Sequence, residues 1–247
     1  MVPTRNLVVC AAWLIYGVAF AQDSQPAPTP HPLTPEQRGD VLMARKMYRE
    51  AIDYYQQAPQ NSAVIWNKMG IAYHQMSQLD AAMKRYRRAM RLDAKYPEAI
   101  NNLGTIYYAE KRYGHAAGLY KRALKLSPDS ASIYSNLGTA YFAEKKYKEA
   151  ALAYDKALHL DPDIFEHHST YGVLLEDRTV EERAKYHYYV AKLYAKEGQN
   201  ERALLYIRKA LEEGFNDRKK LIQDPEFAAL RDLPEFKELL KLEPRVL

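Results

Sequence analysis

The stretch 100-INNLGTIYYAEKRYGHAAGLYKRALKLSP-128 carries Gly104 in the middle of what otherwise reads as a strong helix. A mid-helix glycine costs about 1 kcal/mol relative to alanine. The spacing explains why it stands there. Turned 100° per residue, Ile100, Leu103, Gly104 and Tyr107 share one side of the helix, so the glycine lies within the packing stripe. A residue without a Cβ there lets a second helix approach closely, and the tighter packing between the helices offsets the lost propensity.

The same word returns at a fixed interval. Trp66-x2-Met69-Gly70-x2-Tyr73 precedes it by 34 residues and Tyr134-x2-Leu137-Gly138-x2-Tyr141 follows it by 34. The second halves keep step as Ala82-x3-Tyr86-x2-Ala89, Ala116-x3-Tyr120-x2-Ala123 and Ala150-x3-Tyr154-x2-Ala157. Pro128 and Pro162 close two units where the first has Ala94. Three units at one period, with these residues, resemble the tetratricopeptide repeat family, whose helix-turn-helix unit is 34 residues long. The resemblance implies an all-α fold, a right-handed superhelix or α-solenoid of about five repeats with a C-terminal helical cap. It also implies a protein or peptide partner.

Weaker units flank the block. Tyr48, Ala51, Tyr55 and Ala58 place a first repeat at about 32–62, with Gly39 in register but without the aromatic residues of its first helix, as suits a terminal unit. The strong units occupy 63–96, 97–130 and 131–164. Residues 184–217 restore the pattern through Tyr194, Ala203 and Ala210, with Ala191 where glycine is usual. Residues 165–183 between them read as an insertion in which Thr179 and Glu182 make a capping box. Beyond 217, Asp224-Pro225 and Pro234-Glu235 open two short helices of a cap over 218–247, whose Phe227, Leu230, Phe236, Leu239 and Leu240 cover the last repeat.

The first 31 residues belong to no repeat. Arg5 is the only charge in the first 22 residues, Leu7 to Gly17 is apolar, and Ala19-Phe20-Ala21 has the small-x-small pattern of a signal peptidase site. A signal peptide over 1–21 and export to the periplasm or beyond follow as expectations, since the apolar run is short of the ~20 residues of a span. Cys10, after Val9, is poorly set for lipidation, and its removal would leave a chain without cysteine, closed to thiol catalysis and disulfides. Residues 22–31 open a proline-rich segment that reads as an extended tether.

Composition excludes some functions and leaves others. Of 247 residues, 47% are hydrophobic and 27% charged, and the net charge of +5 is spread too thinly to indicate nucleic acid. No Gly-rich phosphate loop, metal motif or nucleophile-base spacing occurs, adjacent His167 and His168 point different ways on a helix, and no cofactor, metal or catalytic site is expected. Repeats, tether and cap account for the chain, so a non-enzymatic scaffold or adaptor is the leading expectation. A cell-envelope assembly factor working through repeat edges or the insertion is an alternative. A polyanion or membrane-surface binder using Lys84–Arg91 and Tyr120–Lys125 is another.

The first helices supply the expected binding face. Opposite the packing stripe stand Asn67, Lys68, Ile71, His74 and Gln75, then Asn101, Asn102, Thr105 and Tyr108, then Ser135, Asn136, Thr139 and Phe142, then Lys185, Tyr188, Tyr189, Lys192 and Lys196. These predict a groove for an extended segment. Asn102 and Asn136 stand where the repeats of O-linked N-acetylglucosamine transferase carry a ladder of asparagines, and the resemblance implies contacts to peptide main chain. Chaperone carboxylate clamps fit less well, because Thr105 and Thr139 replace their asparagine.

Overall fold

The computed structural model describes residues 32–166 and 179–242. The expected leader and tether, His167 and His168 fall outside them. Among the described residues the regular elements are all helical, arranged in successive antiparallel pairs. The pairs are α1 (Pro35–Ala44) with α2 (Tyr48–Gln57), α3 (Ala63–Gln75) with α4 (Leu79–Leu92), and α5 (Pro97–Ala109) with α6 (Tyr113–Leu124). They continue as α7 (Ala131–Ala143) with α8 (Tyr147–Leu160), and α9 (Val180–Lys196) with α10 (Asn200–Glu212). Each pair packs on the next to give a solenoid, closed by α11 (Arg218–Gln223), a 3-10 helix (Pro225–Leu230) and α12 (Pro234–Leu239).

Local chemistry sets the boundaries. Thr34 and Gln37 form a capping box on α1, Ser62 and Ser130 accept from the backbone N–H of Ile65 and Ile133, and Thr179 with Glu182 caps α9. The last capping box starts α9 at Val180, four residues before the fifth repeat begins in register, so part of the insertion is helix. The first helix of every repeat ends the same way. In α5, the Lys111 N–H donates to the Tyr108 carbonyl and the Arg112 N–H to the Tyr107 carbonyl, both at 2.8 Å, with Lys111 left-handed at φ 58°. Lys46, Ser77, Lys145 and Gly198 hold the same position in the other repeats.

The glycines face rings. A Cβ at Gly104 would lie 2.6 Å from Tyr120 Cε1, and at Gly39, Gly70 and Gly138 the distances to Tyr55, Tyr86 and Tyr154 are 2.3, 2.5 and 2.6 Å. All four tyrosines are buried, so the second helix of each pair presses an aromatic ring onto bare backbone of the first. The fifth pair departs from this at both ends of the contact. Ala191 stands for the glycine and Ile207 for the tyrosine, both fully buried in one cluster, and the branched aliphatic leaves room for the methyl.

Phe227, Leu230, Phe236 and Leu239 join the same buried cluster as α9 and α10. Asp224 stands at the N-cap of the 3-10 helix, but its side chain makes no cap bond to it. Asp217 caps α11 instead, through the Lys220 N–H.

Candidate functional site

The first helices are buried on more sides than an amphipathic pattern implies. In the middle of the array, α5 packs against its own second helix α6, the preceding second helix α4, and the first helices α3 and α7 on either side. Every residue of α5 from Ala99 to Ile106 is buried, along with Tyr108. In α5, the positions expected to be free in the groove, Asn101, Asn102, Thr105 and Tyr108, are therefore buried.

The asparagines show it most clearly. Asn102 Nδ2 donates to Asn67 Oδ1 at 3.1 Å, Asn136 Nδ2 donates to Asn101 Oδ1 at 3.0 Å, and Asn101 Nδ2 donates to Asn102 Oδ1 at 3.2 Å. Asn67 Nδ2 in turn reaches the Tyr96 hydroxyl at 3.4 Å. The four asparagines are at most 6% exposed, and their amides link α3, α5 and α7 to one another. Buried amides left unpaired are costly, and in this arrangement each repeat pairs its neighbour's. Thr105 and Thr139 are buried too. Thr105 Oγ1 donates to the Asn102 carbonyl at 2.8 Å, and Thr139 Oγ1 lies 3.0 Å from the Tyr154 hydroxyl.

Other expected contacts are held by the protein's own ends. Lys68 Nζ lies 2.7 Å from both Glu36 and Asp40 of α1; burial alone would lower its pKa, but these two carboxylates raise it above the ordinary value. Lys192 is held 3.2 Å from Asp224 and from Glu226. Tyr188 is buried, stacks on Phe215 with centroids 4.5 Å apart, and donates to Asp224. The C-terminal segment thus covers the part of α9 expected to meet a ligand. His74 is largely buried, and burial holds its pKa below 6.5.

Two clefts open on the side where first helices turn into second helices. One, of about 430 Å³, lies between α1 and α3 and is lined by Asp40, Met43, Lys46, Tyr48, Lys68, Ile71 and Gln75 among others. The other, of about 280 Å³, is lined by Tyr108, Phe142, Ala143, Lys145, Tyr147, Thr179, Glu181, Glu182 and Lys185. Here Tyr147 stacks on Tyr189 at 5.4 Å, and Phe142 meets both rings edge-on at 5.3 and 5.8 Å. Lys185 Nζ sits 4.7 Å from the Tyr147 centroid, and its hydrogen bond to that tyrosine raises its pKa. Tyr108 and Phe142 therefore border an open site, with Tyr189 packed at its wall. Lys145, Tyr147 and Lys185 complete it.

Sequence reasoning left out Tyr147 and Lys145 because they lie in the turn and at the start of the second helix. A signal was present in "EKRY" and "EKKY", where a basic pair and a tyrosine recur 34 residues apart.

The basic runs are tied inward. Arg85 and Arg88 lie 5.5 and 5.7 Å from the Trp66 ring, Arg87 donates to the Tyr107 hydroxyl at 3.0 Å, and Arg122 donates to the Ala94 carbonyl at 3.0 Å. Among the described residues no helix is long and apolar enough to cross a membrane.

Comparison with known proteins agrees with the helix pairing. Residues 70–111 and 104–145 match a family model for the TPR repeat, and residues 131–164 match a model for the tetratricopeptide repeat. Residues 70–164 thus carry tetratricopeptide repeats. No curated protein sequence matches it. Among solved structures, the TPR array resembles pilF of Pseudomonas aeruginosa at 19% identity and a TM-score of 0.55, over 83% of this chain and 86% of that one. MamA of Desulfovibrio magneticus RS-1, from residue 41 to its end, aligns at 19% identity and a TM-score of 0.50, over 74% and 94%. The first TPR of Spaghetti (RPAP3), bound to an HSP90 peptide, aligns at 28% identity and a TM-score of 0.42, over 44% and 86%. With pilF and MamA the present structure shares its fold, an array of successive helix pairs.

Proposed function

We propose that the chain is an exported interaction scaffold that holds an extended segment of a protein partner against the first-helix side of the array, with the Tyr108–Phe142–Tyr147–Lys185 cleft as its principal contact. The observation that carries this reading is that cleft: aromatic walls and ammonium groups at one open edge, on a frame whose asparagines are already paired with one another. Rings supply contact area at low entropic cost, and Lys145 and Lys185 beside Glu181 and Glu182 suit a bound segment that carries both acidic and basic side chains. Asn102 and Asn136 serve in this reading by holding the frame's register. Export rests on Ala19-Phe20-Ala21 after the apolar run. Intact mass of the exported protein is expected to show a chain beginning at Gln22.

Site-specific photo-crosslinking tests the surface. A crosslinking side chain in place of Tyr189 should capture a discrete partner, and the same group in place of Arg91, on an outward turn of α4, should not. Capture from position 91 alone would refute the reading. Lys145→Gly with Lys185→Met should weaken capture at least about tenfold, since two charge-assisted contacts are lost. The melting temperature of the free protein should not fall.

A further inference from the structure

Asp155 and His159 stand four residues apart on one face of α8, and Glu197 stands at the C-cap of α9. One ligand atom from each lies within 4.8 Å of the others, with His159 Nε2 at 3.9 Å from Glu197 Oε2. We infer that these three side chains form a divalent-metal site, of the type that takes zinc, clipping α8 to α9 across the break in the repeat.

Three observations carry it. The ring is already set as a ligand: His159 Nδ1 lies 3.1 Å from the Asp155 carbonyl oxygen. A carbonyl only accepts, so Nδ1 bears a proton and in the neutral ring Nε2, on the side of Glu197, is the nitrogen left to bind a metal. The donor set is one imidazole and two carboxylates, which suits zinc and leaves a position for water. At metal distances of about 2.0–2.2 Å, ligand atoms of a tetrahedral site stand about 3.4 Å apart, and rotation of the two partly exposed carboxylates closes the difference. The place also already draws a cation. Lys196 Nζ lies 2.6 Å from Asp155 Oδ1, on the side chain a metal would need.

The location gives the site a purpose. Elsewhere four to six residues join the second helix of a repeat to the next first helix, but here residues 161–179 intervene between α8 and α9. A metal shared by Asp155, His159 and Glu197 ties the last turn of α8, where that connection begins, to the far end of α9. The longer the chain between two clipped points, the more a clip stabilises.

Competition for zinc against a chromophoric chelator, using the full mature chain, tests it. The wild-type chain should take up one equivalent, and His159→Ala and Glu197→Ala should each weaken uptake by about tenfold or more. Lys196→Met should strengthen it about fivefold by removing the competing ammonium, an effect that no other zinc-binding histidine would produce. All three residues are at the surface, and circular dichroism confirms that each variant is folded. Failure of the wild-type chain to compete, or uptake unaltered in either alanine variant, overturns the site. Neither result bears on the aromatic cleft, which shares no residue with it.

Discussion

Gly104 and Gly118 receive the same substitution and should respond with opposite sign. Both lie inside helices, α5 and α6, and by propensity alone either becomes about 1 kcal/mol more favourable as alanine. Around Gly118 no atom lies within 4 Å of the new Cβ, so the full gain is expected there. At Gly104 the Cβ meets Tyr120 Cε1 at 2.6 Å and Cδ1 at 2.9 Å, and the ring is fully buried with no free direction in which to move. Overpacking of this kind costs about 1–3 kcal/mol, so after the propensity gain Gly104→Ala should lose on the order of 1 kcal/mol. Adding Tyr120→Ile reproduces the Ala191 and Ile207 pairing of the fifth repeat. The two changes together should cost less than the sum of each alone, by about 1 kcal/mol in a double-mutant cycle. Urea denaturation followed by circular dichroism measures all four variants. A raised midpoint for Gly104→Ala, or strict additivity with Tyr120→Ile, would refute the account of why glycine stands there.

Lys111→Gly should stabilise the chain by about 1 kcal/mol, since φ 58° is unfavourable for a side chain with a Cβ; a lowered midpoint would contradict this. Asn102→Ala should destabilise by about 1–3 kcal/mol, because it strips the Asn67 and Asn101 amides of a buried partner, and calorimetry would show it as a lower melting temperature. Acid should weaken the fold from about pH 6.5 downward. Burial holds His74 and His187 below 6.5 in the folded chain, with Glu213 opposing the effect at His187 while Arg183 and Lys209 reinforce it. The unfolded chain then takes up protons that the folded chain refuses, so the stability present above pH 6.5 is lost as pH falls through the folded pKa values. His74→Gln should flatten the profile between about pH 7.5 and 5.5, and an unchanged slope would show that His74 takes no part.

Fold and frame were largely legible. The 34-residue period, the glycine stripe and the capping box at Thr179 carry their chemistry in local sequence, and each has its counterpart in the structure. Exposure was not legible in the same way. A helical wheel separates two faces, but α5 is covered on three sides, and how many neighbours a helix has is a property of the stack. Asn102 looks equally polar whether it meets a peptide or Asn67. Lys68 and Lys192 were lost to the face for a similar reason, because their partners lie at residues 36 and 40 and at 224 and 226, distances that no local pattern reports. The cleft was partly seen, through Tyr108, Phe142, Lys185 and Tyr189, while Lys145 and Tyr147 sit in and just after a turn, outside the helical wheel.

The amide network has a direction and an end. Hydrogen bonds between Asn67, Asn102, Asn101 and Asn136 are specific in angle and partner, so α3, α5 and α7 cannot slide past one another without breaking them. At α9 the corresponding positions are Tyr188 and Tyr189, and the contact with α7 passes to rings meeting edge-on. Ring contacts tolerate small rotations at little cost. The array is therefore keyed by amides from its second repeat to its fourth and joined to its fifth by buried rings, and a bound segment running over Phe142 and Tyr189 would cross that change of packing.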